Sequence, residues 1–89
     1  MARWLVRFVP EAEIDLQELD VAVRRSVVQK LDWLQENFDK IKPVALVGER
    51  GGFFKLRAGD YRVIYKIDYP QEFLVIIQIG HRSKIYKKK

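Results

Sequence analysis

The stretch FFKLRAGDYRVIYKIDYPQEFLVIIQI, residues 53–79, decides the fold. Its three runs rich in β-branched and aromatic residues, Phe53–Arg57, Tyr61–Asp68 and Phe73–Ile79, are separated by turn-forming residues. Ala58-Gly59-Asp60 reads as a tight hairpin, and Tyr69-Pro70-Gln71 as a second turn with Pro at a turn position. Three strands joined this closely form an antiparallel meander. The run Phe73-Leu74-Val75-Ile76-Ile77 is apolar on both faces, which places its strand inside the sheet rather than at an edge.

A short loop centred on Ala58-Gly59 predicts a register. Phe54 then opposes Val63 and Leu56 opposes Tyr61 on one face, which Tyr65 and Ile67 continue. That face is apolar and should receive helices. On the other face Lys55 falls opposite Arg62, with Lys66 further along. Like charges set opposite one another destabilise a sheet by a few tenths to about 1 kcal/mol. A protein can carry that conflict where an anion is meant to lie between the cations; the alternative is that both side chains splay into solvent.

Upstream, Arg3–Val9 reads as another strand. Pro10 ends it and suits the first turn of a helix, where its missing N–H is not needed. Glu11, Glu13 and Asp15 then favour the positive end of the helix dipole. Ala12, Leu16 and Leu19 mark a short helix over residues 11–19. Asp20 is a suitable N-cap for a second helix, 21–37, whose stripe Val23, Val27, Leu31, Leu34 and Phe38 repeats at helical spacing. Residues 39–52, with Pro43, Gly48, Gly51 and Gly52, read as a loop; Gly48–Gly52 lacks the Lys-Ser/Thr end of a phosphate-binding loop. Trp4 and Trp33 read as core or interface packing. The order is β-α-α-β-β-β, an α+β fold with a helical hairpin on one face of a meander sheet, in a single domain spanning 1–89.

Composition narrows the function. The chain has 89 residues, 48% of them hydrophobic, enough apolar material for a core in a domain this small. With no Cys and one His, disulfides and a thiolate zinc site are excluded, a transition-metal site is disfavoured, and no cofactor is expected. No run approaches the roughly 20 apolar residues of a membrane span, and no secretory signal is seen, so the expectation is cytoplasmic. Residues 1–45 carry 7 Lys+Arg against 8 Asp+Glu, a net of −1, whereas residues 46–89 carry 10 against 4, a net of +6. A one-sided basic excess points to a polyanion, nucleic acid first; a solvated surface with a frayed Lys87-Lys88-Lys89 tail is the bland alternative.

In an antiparallel pair the end of the Phe73–Ile79 strand lies near the start of Tyr61–Asp68. His81 and Arg82 therefore emerge close to Lys55 and Arg62, with Ser83, Lys84 and Tyr86 following. That set suits a phosphodiester. Arginine presents a rigid fork to phosphate oxygens. Lysine crowded by other cations can act as a base, and tyrosine can stack on an RNA base. Without metal ligands, the chemistry open to these groups is attack by the RNA's own 2′-OH, with cations stabilising the pentavalent transition state.

The stretch Phe54 to Tyr65, followed by Ile79-Gly80-His81-Arg82 and Tyr86, resembles the RelE/ParE toxin superfamily, and more narrowly its RelE branch of mRNA interferases. Phe8-Val9-Pro10-Glu11-Ala12, Asp15-Leu16 and Leu46-Val47-Gly48 also fit, so the resemblance covers nearly the whole chain. It implies a toxin of a type II toxin–antitoxin system that cuts mRNA in the ribosomal A site and is held by a cognate antitoxin in a hetero-oligomer. Position by position it implies that Arg62 holds the scissile phosphate, Arg82 stabilises or protonates the leaving 5′-oxygen, Lys55 helps activate the 2′-OH, and Tyr86 stacks on or orients the nucleotide. Arg57, Lys66 and Lys84 would belong to the basic RNA-facing surface. Some relatives carry a second lysine where this chain has Phe53, which offers a stacking surface instead. His81 either shares the acid–base work or shapes the turn. Two other classes stay open: a ParE-like inhibitor of DNA gyrase that is not an enzyme, and a plain RNA-binding protein.

Overall fold

A computed structural model describes residues 3–46 and 52–85. The chain runs β1 (Leu5–Phe8), α1 (Pro10–Gln17), α2 (Val21–Asn37), a 3₁₀ turn (Phe38–Lys40), β2 (Val44–Ala45), β3 (Phe54–Ala58), β4 (Tyr61–Asp68), β5 (Phe73–His81) and α3 (Arg82–Ile85). The sheet is mixed, in the order β1-β5-β4-β3-β2. Strand β1 runs parallel to β5 and the other pairs are antiparallel. β5 thus lies inside the sheet, as its two-faced apolarity requires. Two short elements escape the sequence pattern: β2, inside the expected loop, and α3, after the last strand. The rest of that glycine-rich loop, residues 47–51, falls outside the described residues.

Val9, the residue before Pro10, is extended, and Pro10 opens α1. Asp20 occupies the N-cap position of α2, but its side chain makes no capping bond. The helical hairpin is tied by Arg24 instead, whose Nη1 donates to the carbonyls of Gln17 at 3.2 Å and Leu19 at 3.3 Å. A guanidinium at the end of α1 meets the carbonyl-rich, negative end of the dipole.

Val27, Leu31 and Leu34 of α2 are buried against Leu56, Ala58, Val63 and Tyr65 of the sheet, with Leu74, Ile76 and Ile79 completing the core. Each such aliphatic side chain contributes about 1.5–3 kcal/mol by leaving water. Trp4 closes one end: its indole donates to Asp39 Oδ1 at 2.9 Å and meets Phe38 edge-on at 4.9 Å. Trp33, for which the sequence offers core or interface packing, is not in the core: it is 42% exposed, because position 33 lies off the 27-31-34 stripe. Burial, with a smaller contribution from Tyr69, pushes the Tyr65 phenol up to about 12.

The hairpin register differs from the expected one. Phe54 pairs with Tyr65, Lys55 with Ile64, Leu56 with Val63, Arg57 with Arg62 and Ala58 with Tyr61. The turn is therefore Gly59-Asp60, with Gly59 at φ +62°. A two-residue loop of this kind needs a positive φ at its first central residue, and glycine supplies it at no steric cost. Centring the loop there moves every partner by two positions. Because side chains alternate with a period of two, the faces stay as expected and only the opposed pair changes: Arg57, not Lys55, stands opposite Arg62.

Between β4 and β5 the register shifts at Ile64/Tyr65, since Ile64 pairs with Gln78 and Tyr65 with Ile76. Ile77 is the extra residue of a bulge. Beyond it, past the end of β1, the N–H of Ile79 donates to Asp15 Oδ2 at 3.0 Å. Asp15, read from sequence as dipole compensation, thus serves β5 directly.

Candidate active site

The sheet face away from the two long helices carries three rows of side chains. Nearest the Gly59-Asp60 turn, Arg57, Arg62 and Gly80 lie side by side across β3, β4 and β5. The next row is Lys55, Ile64 and Gln78. In the third, Lys66 sits beside Val75 and places its Nζ 5.7 Å from the centre of the Phe53 ring. The residues expected on this face are there, in the corrected pairing.

Arg62 is the one charged side chain that is buried among the described residues, at 9% exposure. Its Nη1 donates to the carbonyl oxygens of Gly59 at 2.8 Å and Tyr61 at 3.0 Å. Among the described residues no carboxylate pairs with it or with Arg57. A buried charge is ordinarily matched by an opposite one, because desolvation penalises it otherwise. Among the described residues the Arg62 guanidinium is held by carbonyl dipoles, and its cross-strand neighbour Arg57 adds a second positive charge. Two guanidinium groups set opposite one another on this part of the face can take an anion between them.

Arg82 approaches from the other side of the same turn. Its backbone N–H donates to the Asp60 carbonyl at 2.9 Å, and its Nε lies 3.8 Å from Asp60 Oδ1. The contact is long and both side chains are largely exposed, so it guides the arginine more than it neutralises it. Among the described residues Asp60 is the carboxylate that reaches Arg82. One two-residue turn therefore positions both arginines, Gly59 through its carbonyl and Asp60 through carbonyl and carboxylate. Neither residue was singled out for this from sequence; the signal available was a Gly-Asp turn flanked by arginines.

His81 is not brought to the cationic face. It pairs with Tyr61, which puts it on the helix side of the sheet. There its ring meets the Tyr61 ring edge-on at 5.3 Å, its Nδ1 lies 2.8 Å from Ser83 Oγ, and that nitrogen accepts the Ser83 N–H at 3.1 Å. Of its two readings, shaping the turn into α3 is the one this geometry favours. α3 then folds back, and Ile85 comes to 3.6 Å from where a Cβ on Gly80 would sit. Lys84 lies exposed on α3. Tyr86 and Lys87-Lys88-Lys89 lie outside the described residues.

Chemically, the face offers a buried guanidinium, a second guanidinium opposite it, an amine one row away and an arginine at the rim. Together they can bind a phosphodiester and stabilise added negative charge on it.

Comparison with known proteins places these features in a family. Residues 6–86 match the family described as ParE toxin of type II toxin-antitoxin system, parDE. The chain is 34% identical over 87 residues to Toxin RelG of Mycobacterium tuberculosis, covering 96% of this chain and 98% of that protein. The fold is similar to the crystal structure of the toxin-antitoxin complex RelBE2 from M. tuberculosis, with a TM-score of 0.79, 30% identity, and 94% and 97% of the two chains covered. It is also similar to a double arginine-to-alanine mutant of E. coli toxin RelE in the free state, with a TM-score of 0.73, 25% identity, and 98% and 93% covered.

Proposed function

The chain belongs to the RelE/ParE family of toxins of type II toxin–antitoxin systems, and from that membership we propose that it is a ribosome-dependent endoribonuclease that cuts mRNA in the A site. The observation that carries this reading is the buried Arg62, unmatched by any described carboxylate and set directly opposite Arg57. A protein that only docked on a partner would have no chemical need to hold a desolvated guanidinium against a second one.

In this reading Arg62 and Arg57 grip the scissile phosphate. Lys55, one row away on the same face, helps take the proton from the 2′-OH. The 2′-oxygen attacks phosphorus, the bond to the 5′-oxygen breaks, and Arg82 stabilises or protonates the departing oxygen. Tyr86 orients the nucleotide, Phe53 offers a stacking surface, and Lys66 and Lys84 add to the basic surface. The ribosome supplies the alignment of 2′-oxygen, phosphorus and 5′-oxygen that a shallow face cannot impose on free RNA. A cognate antitoxin, of the kind present in the relative's toxin–antitoxin complex, holds the toxin in a hetero-oligomer by docking a helix or extended segment and covering part of the basic face.

The product ends test the chemistry. Purified protein and mRNA-programmed ribosomes should yield upstream fragments with a 2′,3′-cyclic phosphate and downstream fragments with a 5′-hydroxyl. Fragments with 5′-phosphate ends would overturn 2′-OH attack. A second reading, gyrase inhibition without catalysis, is favoured by the ParE name of the matching family; inhibition of DNA supercoiling by the purified protein, with mRNA left intact, would replace the first reading with it.

A further inference from the structure

β2 pairs with β3 at Val44–Lys55 and Ala45–Phe54, and among the described residues no strand pairs with the outer edge of β3 from Leu56 to Ala58. The last turns of α2 and the segment leading into β2 run past this edge and leave a cleft of about 240 Å³. Lys30, Lys42, Lys55 and Arg57 line it together with Trp33, and no described lining residue is acidic. Lys55 and Arg57 line the cationic face as well, so the two surfaces are continuous around the β3 edge. From Arg62 to the cleft is two strand spacings, about 10 Å.

Trp33 is the unusual member. The chain's other tryptophan, Trp4, is buried, whereas Trp33 keeps 42% of its surface in water. Lys30 Nζ lies 4.2 Å from its ring centre. An exposed indole among four cations is the combination that single-stranded nucleic acids use, bases on the aromatic ring and phosphates on the cations.

We propose that this cleft is a second RNA subsite, holding a nucleotide that neighbours the one on the cationic face, its base against Trp33 and its phosphates on Lys30 and Lys42. An arriving phosphate draws the Lys30 ammonium off the indole and frees the ring for the base. An acidic peptide added as a strand fits less well, since among the described residues the open edge beside the cleft is three residues long, Leu56–Ala58. The assignment of an RNA strand to this cleft rests on the reading of the adjoining face as an RNA phosphate site.

The pair of tryptophans, one buried and one exposed, provides the test. The probe is an uncleavable 2′-O-methyl RNA of about ten nucleotides, a typical length for a single-strand site. Binding should quench fluorescence from Trp33, and Trp33→Phe should abolish the quench while keeping most of the affinity. Trp33→Ala should weaken binding about tenfold by anisotropy of the labelled RNA. Lys42→Ala should lower the slope of log K against log salt by about 0.7. Thermal melting confirms that each variant is folded. An unquenched Trp33 at saturation, or unchanged affinity in folded Trp33→Ala, would overturn the subsite. So would quenching by a polyglutamate peptide that RNA does not reproduce. No ribosome or cleavage enters this assay, so an inactive protein with Trp33-dependent binding leaves the cleft standing. Active protein indifferent to Trp33 sinks the cleft alone.

Discussion

Replacing Gly59 by alanine tests the turn that organises the site. Gly59 has φ +62°, and a Cβ built there meets nothing within 4 Å. No clash contributes, so the cost is that of holding an L-residue in a left-handed conformation, about 1–2 kcal/mol. For a domain of this size, each kcal/mol lowers the melting temperature by about 4–8 °C. Gly80 provides the counterpart: its φ is not positive, and an added Cβ would make ordinary contact with Ile85 at 3.6 Å. Gly80→Ala should therefore leave stability unchanged or raise it by up to about 1 kcal/mol, through the lower entropy of the unfolded chain. The same substitution thus carries opposite signs at two positions of one site. Urea unfolding of both variants beside wild type, with the slope m checked for constancy, measures it. A Gly59→Ala variant as stable as wild type, or a Gly80→Ala variant that loses more than Gly59→Ala, would refute the Gly59-Asp60 turn and the Arg57–Arg62 pairing that follows from it.

Three further outcomes are expected. Tyr65 keeps its proton up to about 12 in the fold but only to about 10 when unfolded. The stability it confers is complete below pH 10 and lost as pH rises toward 12; the total is about 2–3 kcal/mol. Urea unfolding across that range should show Tyr65→Phe falling less steeply than wild type, and parallel curves would contradict the burial argument. Asp15→Ala strips the Ile79 N–H of its acceptor and should cost about 1.5–3 kcal/mol with faster amide exchange at Ile79; slow exchange at that amide would count against it. Asp60→Ala removes an exposed 3.8 Å contact, so stability should move by less than about 1 kcal/mol. RNA cleavage by the same variant should fall about tenfold to a hundredfold as Arg82 loses its guide, and an unchanged rate would end that positioning role.

The long α2 helix, the strand limits of β4 and the interior place of β5 were legible because each rests on a strong periodic pattern: the 27-31-34 stripe, the Tyr61–Asp68 alternation and the two-faced run from Phe73. The faces of the β3–β4 hairpin were legible for the same reason, as alternation survives a two-residue error in register. The register itself was not, because both Ala58-Gly59 and Gly59-Asp60 are plausible loop centres by composition; the requirement for positive φ at the first turn position decides between them. β2 and α3 are too short to carry a period, and tertiary pairing makes them. At the site, Lys55, Arg62 and Lys66 share the face that alternation predicts for them, and Arg57 joins them there by the same alternation. His81 was not brought there, because it follows Gly80 and alternation sends it to the helix side. Trp33 stays in water because it falls between the stripe positions Leu31 and Leu34.

The most direct test of the central claim is primer extension on an mRNA held in purified ribosomes, with wild-type protein, Arg62→Ala and Arg82→Ala in parallel and naked RNA as control. The account predicts cuts at the A-site codon by wild type on ribosomes alone. Both folded variants should cut slower by about a hundredfold to a thousandfold, the usual cost of removing one group that stabilises transition-state charge. Undiminished A-site cutting by folded Arg62→Ala would contradict it.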